Sequence, residues 1–133
     1  MDPERIAADV RRFFADDPGD AVAVYLFGSV ARGTAHAESD VDVGVLLAED
    51  PPRTLEGLKL DVGSDLELRL GLPVQLVVLN RAPADLVHRV LRDGKLLLDR
   101  DPSKRIRFEV GKRSEYFDLQ PILRRYREAR AHD

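Results

Sequence analysis

A chain of 133 residues with 44% hydrophobic and 34% charged side chains has enough apolar material for one domain and too much for a disordered polymer. It has no cysteine, which excludes disulfide frameworks, thiolate zinc sites and cysteine nucleophiles, and no apolar run approaches the ~18 residues of a membrane span. Net charge is −3, divided between residues 1–99 (11 basic, 18 acidic, net −7) and residues 100–133 (10 basic, 6 acidic, net +4), a split that fits an anionic ligand or an acidic protein partner near the C-terminus, or equally a solvated helix face, more than it fits a nucleic-acid binder.

The acidic start, Met1-Asp2-Pro3-Glu4, lacks the basic-then-apolar order of a secretory signal, so a cytoplasmic location is expected. Residues 4–15 place Ile6, Val10, Phe13 and Phe14 at helical spacing, with Pro3 suited to the first turn. A breaker cluster, Asp17-Pro18-Gly19-Asp20, precedes Ala21 to Phe27, an apolar run of strand length that holds Tyr25 in the core and stops at Gly28. Val41 to Leu47 is a second such run, closed by Glu49-Asp50-Pro51-Pro52.

From Leu55 to Leu70, the positions Leu55, Leu58, Val62, Leu66 and Leu70 follow a 3.6-residue period, which predicts a helix ended by Gly71 despite the internal Gly57 and Gly63. Pro73 to Leu79 reads as a third strand, with Gln75 the one residue out of character. Ala84 to Arg92 reads as a short helix with Leu86, Val87, Val90 and Leu91 apolar, ended by Asp93-Gly94 before a short strand at Lys95 to Leu98. From Ser103 onward the pattern is helical, with Ile106, Val110 and Phe117 expected inward and Ile122, Leu123 and Tyr126 continuing that face. Pro121 predicts either a kink or the first turn of a separate last helix. The alternation of strands and helices predicts an α/β (α+β) layer domain with one small mixed sheet. We expect a single domain over 1–133, with an α/β core at 1–99 and a basic helical segment at 100–133.

Chemistry concentrates in residues 28–42, where a strand ends in Gly28-Ser29, Arg32-Gly33 follows, and Ser39-Asp40-Val41-Asp42 opens the next strand. A strand that ends in Gly-Ser and turns into a short helical stretch exposes backbone N–H groups beside a hydroxyl, an anion cradle suited to phosphate. Arg32 adds charge to that cradle or braces its turn, and Gly33 is placed to supply an unusual dihedral angle. Asp40 and Asp42, one residue apart at a strand start, are expected on one face. Two carboxylates beside a phosphate cradle suit magnesium, which takes carboxylate and phosphate oxygens together. Taken singly, Gly-Ser is a common turn and Asp-x-Asp a common solvated pair; at this spacing, between two predicted strands, they form one site.

This motif resembles that of the DNA polymerase β-type nucleotidyltransferases: Gly-Ser, then Arg-Gly, then Ser-Asp-x-Asp. The small size and the stretch Glu115–Pro121 further resemble the minimal nucleotidyltransferases, the antitoxins of pairs whose toxin is a HEPN-domain ribonuclease. The resemblance implies a nucleotidyltransferase fold and magnesium-dependent transfer of AMP from ATP to a tyrosine of a HEPN toxin, which silences it. It also implies that Gly28 and Ser29 bind the triphosphate and that Asp40 and Asp42 are the catalytic metal ligands. One departure stands out. The third carboxylate of the superfamily lies on a later strand, in a setting like Pro73-Val74-x-Leu76-Val77, and here x is Gln75.

Glutamine offers a carbonyl oxygen to a metal but no charge and no proton acceptance. Gln75 is therefore expected to slow or abolish transfer while Mg–nucleotide binding survives, unless Asp65 or Glu67 replaces the missing carboxylate. The alternative reading is a nucleotidyltransferase-fold binding module that neutralises its partner by complex formation. Modification of a small molecule is the weaker option, because the chain is short for a separate acceptor-binding domain. His36, His88 and His132 have no metal-like spacing, and His36 is expected as a solvated loop residue. Arg105, Arg107, Lys112 and Arg113 would reach a nucleotide only if the last helix folded over the cleft, so a solvated face is expected. Tyr116, Phe117 and Tyr126 are expected as core or interface aromatics.

Overall fold

A computed structural model describes residues 2–17, 19–36, 38–51 and 56–131, with the side chains of 56–61 and 131 outside that description. The order is α1 (Pro3–Asp16), β1 (Ala21–Phe27), α2 (Gly28–Arg32), β2 (Val41–Leu47), α3 (Glu56–Leu70), β3 (Val74–Val78), α4 (Ala84–Asp93), β4 (Lys95–Asp99) and α5 (Pro102–Ala131). Pro3 sits in the first turn of α1, and the Asp2 side chain accepts from the Glu4 and Arg5 N–H groups, satisfying donors that a helix start leaves free.

The strands form one mixed sheet in the order β3-β2-β1-β4. β1 runs antiparallel to β2 and β4, while β2 and β3 are parallel and joined through α3. Helices cover both faces, so the strands are apolar almost throughout rather than alternating with polar residues. On one face Ile6, Val10 and Phe14 of α1 and Leu66 of α3 pack with Val24, Leu26, Val41, Val43 and Val45. On the other, Val87 and Val90 of α4 and Phe108 of α5 pack with Ala23, Tyr25, Leu46 and Leu79. Within the predicted 55–70 helix, Leu66 is fully buried and Val62 and Leu70 partly so; Leu55 and the Leu58 side chain lie outside the described residues.

The C-terminal segment departs from expectation in two ways. It is a single 30-residue helix that runs through Pro121. The residues expected inward are outward: Ile106, Val110 and Phe117 are 49%, 54% and 68% exposed, and Ile122 and Tyr126 are exposed as well. The face that packs is instead largely polar. The Tyr25 hydroxyl donates to Glu109 Oε1 at 2.7 Å, Arg105 donates to Glu109 Oε2 at 3.1 Å and to Asp99 Oδ2 at 2.9 Å, and Lys112 donates to the Ala82 carbonyl at 2.9 Å. A hydrophobic period misleads when a helix docks through buried charge, because the apolar stripe then marks the side left over.

The Tyr25–Glu109 bond anchors α5 on the sheet, and burial, then the bond to Glu109, pushes the Tyr25 phenol far above its usual range. Glu109→Ala would leave the Tyr25 hydroxyl and the Arg105 guanidinium short of a partner in a buried setting. It is expected to cost about 3 kcal/mol, read as a lowered midpoint in urea unfolding.

Candidate active site

Four backbone segments converge at one end of the strands. Because β1 is antiparallel to β2, and β3 parallel to it, the end of β1 and the starts of β2 and β3 lie together; Asp42 pairs in register with Phe27 on one side and with Gln75 on the other. Period-two alternation puts Val41, Val43 and Val45 in the α1/α3 core and Asp42 on the opposite face, toward α4. The close of α4 lies at the same end because Gly94, its C-cap, sits against backbone. A Cβ there would meet the Val90 carbonyl and lie 3.1 Å from the Leu26 carbonyl.

The result is a cleft of about 440 Å³ lined by Gly28, Ser29, Arg32, Asp42 and Gln75, and by Leu86, Arg89, Arg92 and Asp93 of α4, with Phe27 and Val77 at its floor. That volume lies within the range of small-molecule sites. Gly28 has φ +74°, and a Cβ on it would overlap the Asp42 carboxylate; only glycine lets the backbone come this close to the acid. Gly33, also at φ +74°, ends α2 in the left-handed conformation, and the Thr34 N–H returns to the Ser29 carbonyl at 3.0 Å. The turn that presents Ser29 and Arg32 is therefore closed by its own backbone.

Charge is unevenly held. Burial, then the nearby Asp40, pushes the half-buried Asp42 carboxyl above the usual range, with Arg32 opposing. Asp40 is exposed, precedes β2 by one residue and does not line the cleft, although its charge is felt there. Arg92 pairs with Asp93 at 2.9 Å, which raises the arginine and lowers the carboxyl. No group of three or more His, Asp or Glu arranged for a metal occurs among the described residues. The donors present still suit a magnesium ion shared with a nucleotide, since such an ion takes one or two carboxylates and fills its sphere with phosphate and water oxygens. The Asp42 carboxylate held against bare Gly28 backbone supplies the room for that ligand.

The remaining expectations divide clearly. Neither possible substitute for the third carboxylate reaches the cleft: Glu67 accepts from the Val74 N–H at 2.9 Å, and Asp65 lines a separate cavity between α1, α3 and the sheet. His36 is exposed and orders its own loop, where its ring accepts from the Glu38 N–H at 3.2 Å. Tyr116 stacks on His88 with ring centroids 3.8 Å apart, whereas Phe117 and Tyr126 face outward. Arg105 and Lys112 are engaged in docking α5, and none of Arg105, Arg107, Lys112 and Arg113 lines the cleft. The cations that do are Arg32 and two the sequence reading passed over, Arg89 and Arg92. Their signal was present in the spacing of Leu86, Arg89, Arg92 and Asp93, which follows one face of α4 beside the buried Val87 and Val90.

Residues 9–103 match the family described as Polymerase beta, Nucleotidyltransferase. The chain belongs to this nucleotidyltransferase family. It is 37% identical over 75 residues to the protein adenylyltransferase MntA of Shewanella oneidensis, a match that takes in 56% of this chain and 51% of that one. The chain thus spans about half the length of the curated relative it matches. Among solved structures, a toxin–antitoxin crystal structure with AMP-PNP superposes with a TM-score of 0.78 at 27% identity, over 92% of this chain and 96% of that one. A minimal nucleotidyltransferase structure superposes at 0.57 with 32% identity, over 71% and 95%. None of the helices described is long and apolar enough to cross a membrane.

Proposed function

We propose that this chain is an antitoxin-type protein adenylyltransferase that transfers AMP from ATP to a tyrosine hydroxyl of a HEPN-type toxin and so neutralises it. The observation that carries the reading is the close approach of Gly28 to the Asp42 carboxylate in a nucleotide-sized cleft, an arrangement that sets a carboxylate beside a site for phosphate. The adenylyltransferase activity named for the relative and the AMP-PNP of the toxin–antitoxin neighbour support ATP as the donor. The HEPN partner follows from the resemblance, in small size and in the stretch Glu115–Pro121, to the minimal nucleotidyltransferase antitoxins, and the exposed apolar side of α5 is surface available for it.

In this reading Gly28, Ser29 and Arg32 seat the triphosphate, and Asp42, with the Gln75 carbonyl oxygen, holds magnesium, while Asp40, outside the cleft lining, adds its charge from beside Asp42. Bound there, the ion neutralises charge developing on the phosphates, which is most of what such a transfer asks of its catalyst. The protein orients the α-phosphorus toward the acceptor oxygen and leaves room at the cleft mouth for the acceptor tyrosine. Gln75, level with Asp42 on the neighbouring strand, cannot take the acceptor proton, so the chemical step is slow rather than absent. That position also favours a second reading, in which the chain neutralises its partner by occupancy alone.

The deciding experiment follows label from ATP marked in the α-phosphate onto the protein encoded beside this chain, with the native protein and Gln75→Asp in parallel. We expect slow transfer by the native chain and a rate about 10²-fold higher, or more, for Gln75→Asp, as restored proton acceptance predicts. Equal rates would remove Gln75 from the site. Neutralisation of the toxin without label in either case would establish the second reading.

A further inference from the structure

We propose that Arg89 is the residue that grips the terminal phosphates of the nucleotide and makes the cleft select a triphosphate over a monophosphate. The inference rests on the nucleotide-transfer reading above and adds to it a residue that lies outside the Gly-Ser and Asp-x-Asp motif. Arg89 projects from α4 on the face shared with Leu86, Arg92 and Asp93, across the cleft from Gly28, Ser29 and Asp42. α4 is fixed in that position by Val87 and Val90, both fully buried, and by the tight backbone contact at Gly94.

Three guanidinium groups line the cleft, but they are not equivalent. Arg92 is engaged by Asp93 at 2.9 Å. Arg32 offsets Asp42, whose carboxyl it draws downward. Arg89 is exposed and makes no hydrogen bond or ion pair with a side chain among the described residues. With Gln75 neutral, the side chains that line the cleft carry one more positive than negative charge, three arginines against Asp42 and Asp93. A polyanion is the ligand that this balance favours, and a planar guanidinium binds phosphate oxygens in a bidentate way that an ammonium cannot match. Since Ser29, Arg32 and Asp42 lie on the motif side, the helix-borne Arg89 is the cation left for the far end of the chain of phosphates.

The test is equilibrium binding of AMP-PNP and of AMP, with magnesium, to the native protein, Arg89→Ala, Arg89→Lys and Arg107→Ala, the last on an exposed position of α5 away from the cleft. The expected result is a tenfold to hundredfold weaker affinity of Arg89→Ala for AMP-PNP, in line with loss of a charge-assisted pair, with AMP affinity unchanged and Arg89→Lys in between. Arg107→Ala should bind both as the native chain does, and melting temperatures without ligand should agree across the set. Arg89→Ala binding AMP-PNP as tightly as the native chain, or losing AMP affinity equally, would overturn the assignment while leaving the transfer reading standing. Failure of the native chain to bind AMP-PNP at all would overturn both.

Discussion

Gly28→Ala is expected to lower AMP transfer about 10²-fold or more, although it adds one methyl group. The new Cβ would overlap the Asp42 carboxylate, and the position has φ +74°, where an L side chain is strained. The turn must therefore shift away from β2, carrying Ser29 with it, and a displacement near 1 Å at a reacting centre is enough for a loss of that size. Gly33→Ala is the matched control. It shares φ +74°, but nothing lies within 4 Å of its added Cβ, so it should cost about 1 kcal/mol of stability and leave most of the transfer rate. Measured side by side, kcat/KM should separate the two variants far more than their melting temperatures do. Equal rates would mean that the contact between the Gly28 backbone and Asp42 is not part of the machinery.

Asp42→Asn is expected to be more stable and close to inactive. Activity is expected to fall because, of the two acids that line the cleft, Asp93 is paired with Arg92 and Asp42 is the one held against Gly28. On the proposed reading Asp42 would hold the magnesium beside the phosphates, and losing that group forfeits several kcal/mol of barrier, on the order of 10³-fold in rate. Stability moves the other way. Burial and Asp40 hold the folded-state pKa of Asp42 above its ordinary value, so the ionised carboxylate is disfavoured by folding. A group of this kind contributes most at pH below its unfolded pKa and loses that contribution as pH rises through the folded one. At pH 7 the native chain carries the full penalty and Asp42→Asn carries none. The variant should therefore melt higher at pH 7, with the gap closing as pH falls through the carboxylate range. A variant that melts lower at pH 7, or that keeps native turnover, would contradict this account of the site.

The exposed side of α5 follows the same logic of function set against stability. Ile106, Val110 and Phe117 gain nothing from solvent, and the helix is secured instead by the Tyr25–Glu109–Arg105–Asp99 chain on its other side. One oxygen of that chain, Asp99 Oδ1, is buried without a partner among the described residues, a cost consistent with a docking solution built from charges rather than from close-packed methyl groups.

Much of this protein was legible in its order of residues. Apolar runs of strand length marked β1 and β2 over the spans the structure shows, and Pro3, Gly71 and Gly94 marked helix boundaries, because these are local properties of dihedral angle and burial period. The Gly28–Asp42 motif was legible for a related reason: it lies within 15 consecutive residues, so that a single turn brings its ends together. Three features were decided only by tertiary structure. Arg89 and Arg92 meet the motif through the placement of α4, more than 45 residues along the chain from Asp42; their spacing puts them on one helix face, but only packing decides that this face meets the motif. Glu67 and Asp65 fall away from the cleft because α3 covers the opposite face of the sheet. On α5, the apolar stripe faces outward because a buried tyrosine on β1 had already committed a hydrogen bond to Glu109. Period reads which side chains share a face, but which face turns inward depends on the partners that other elements bring to it.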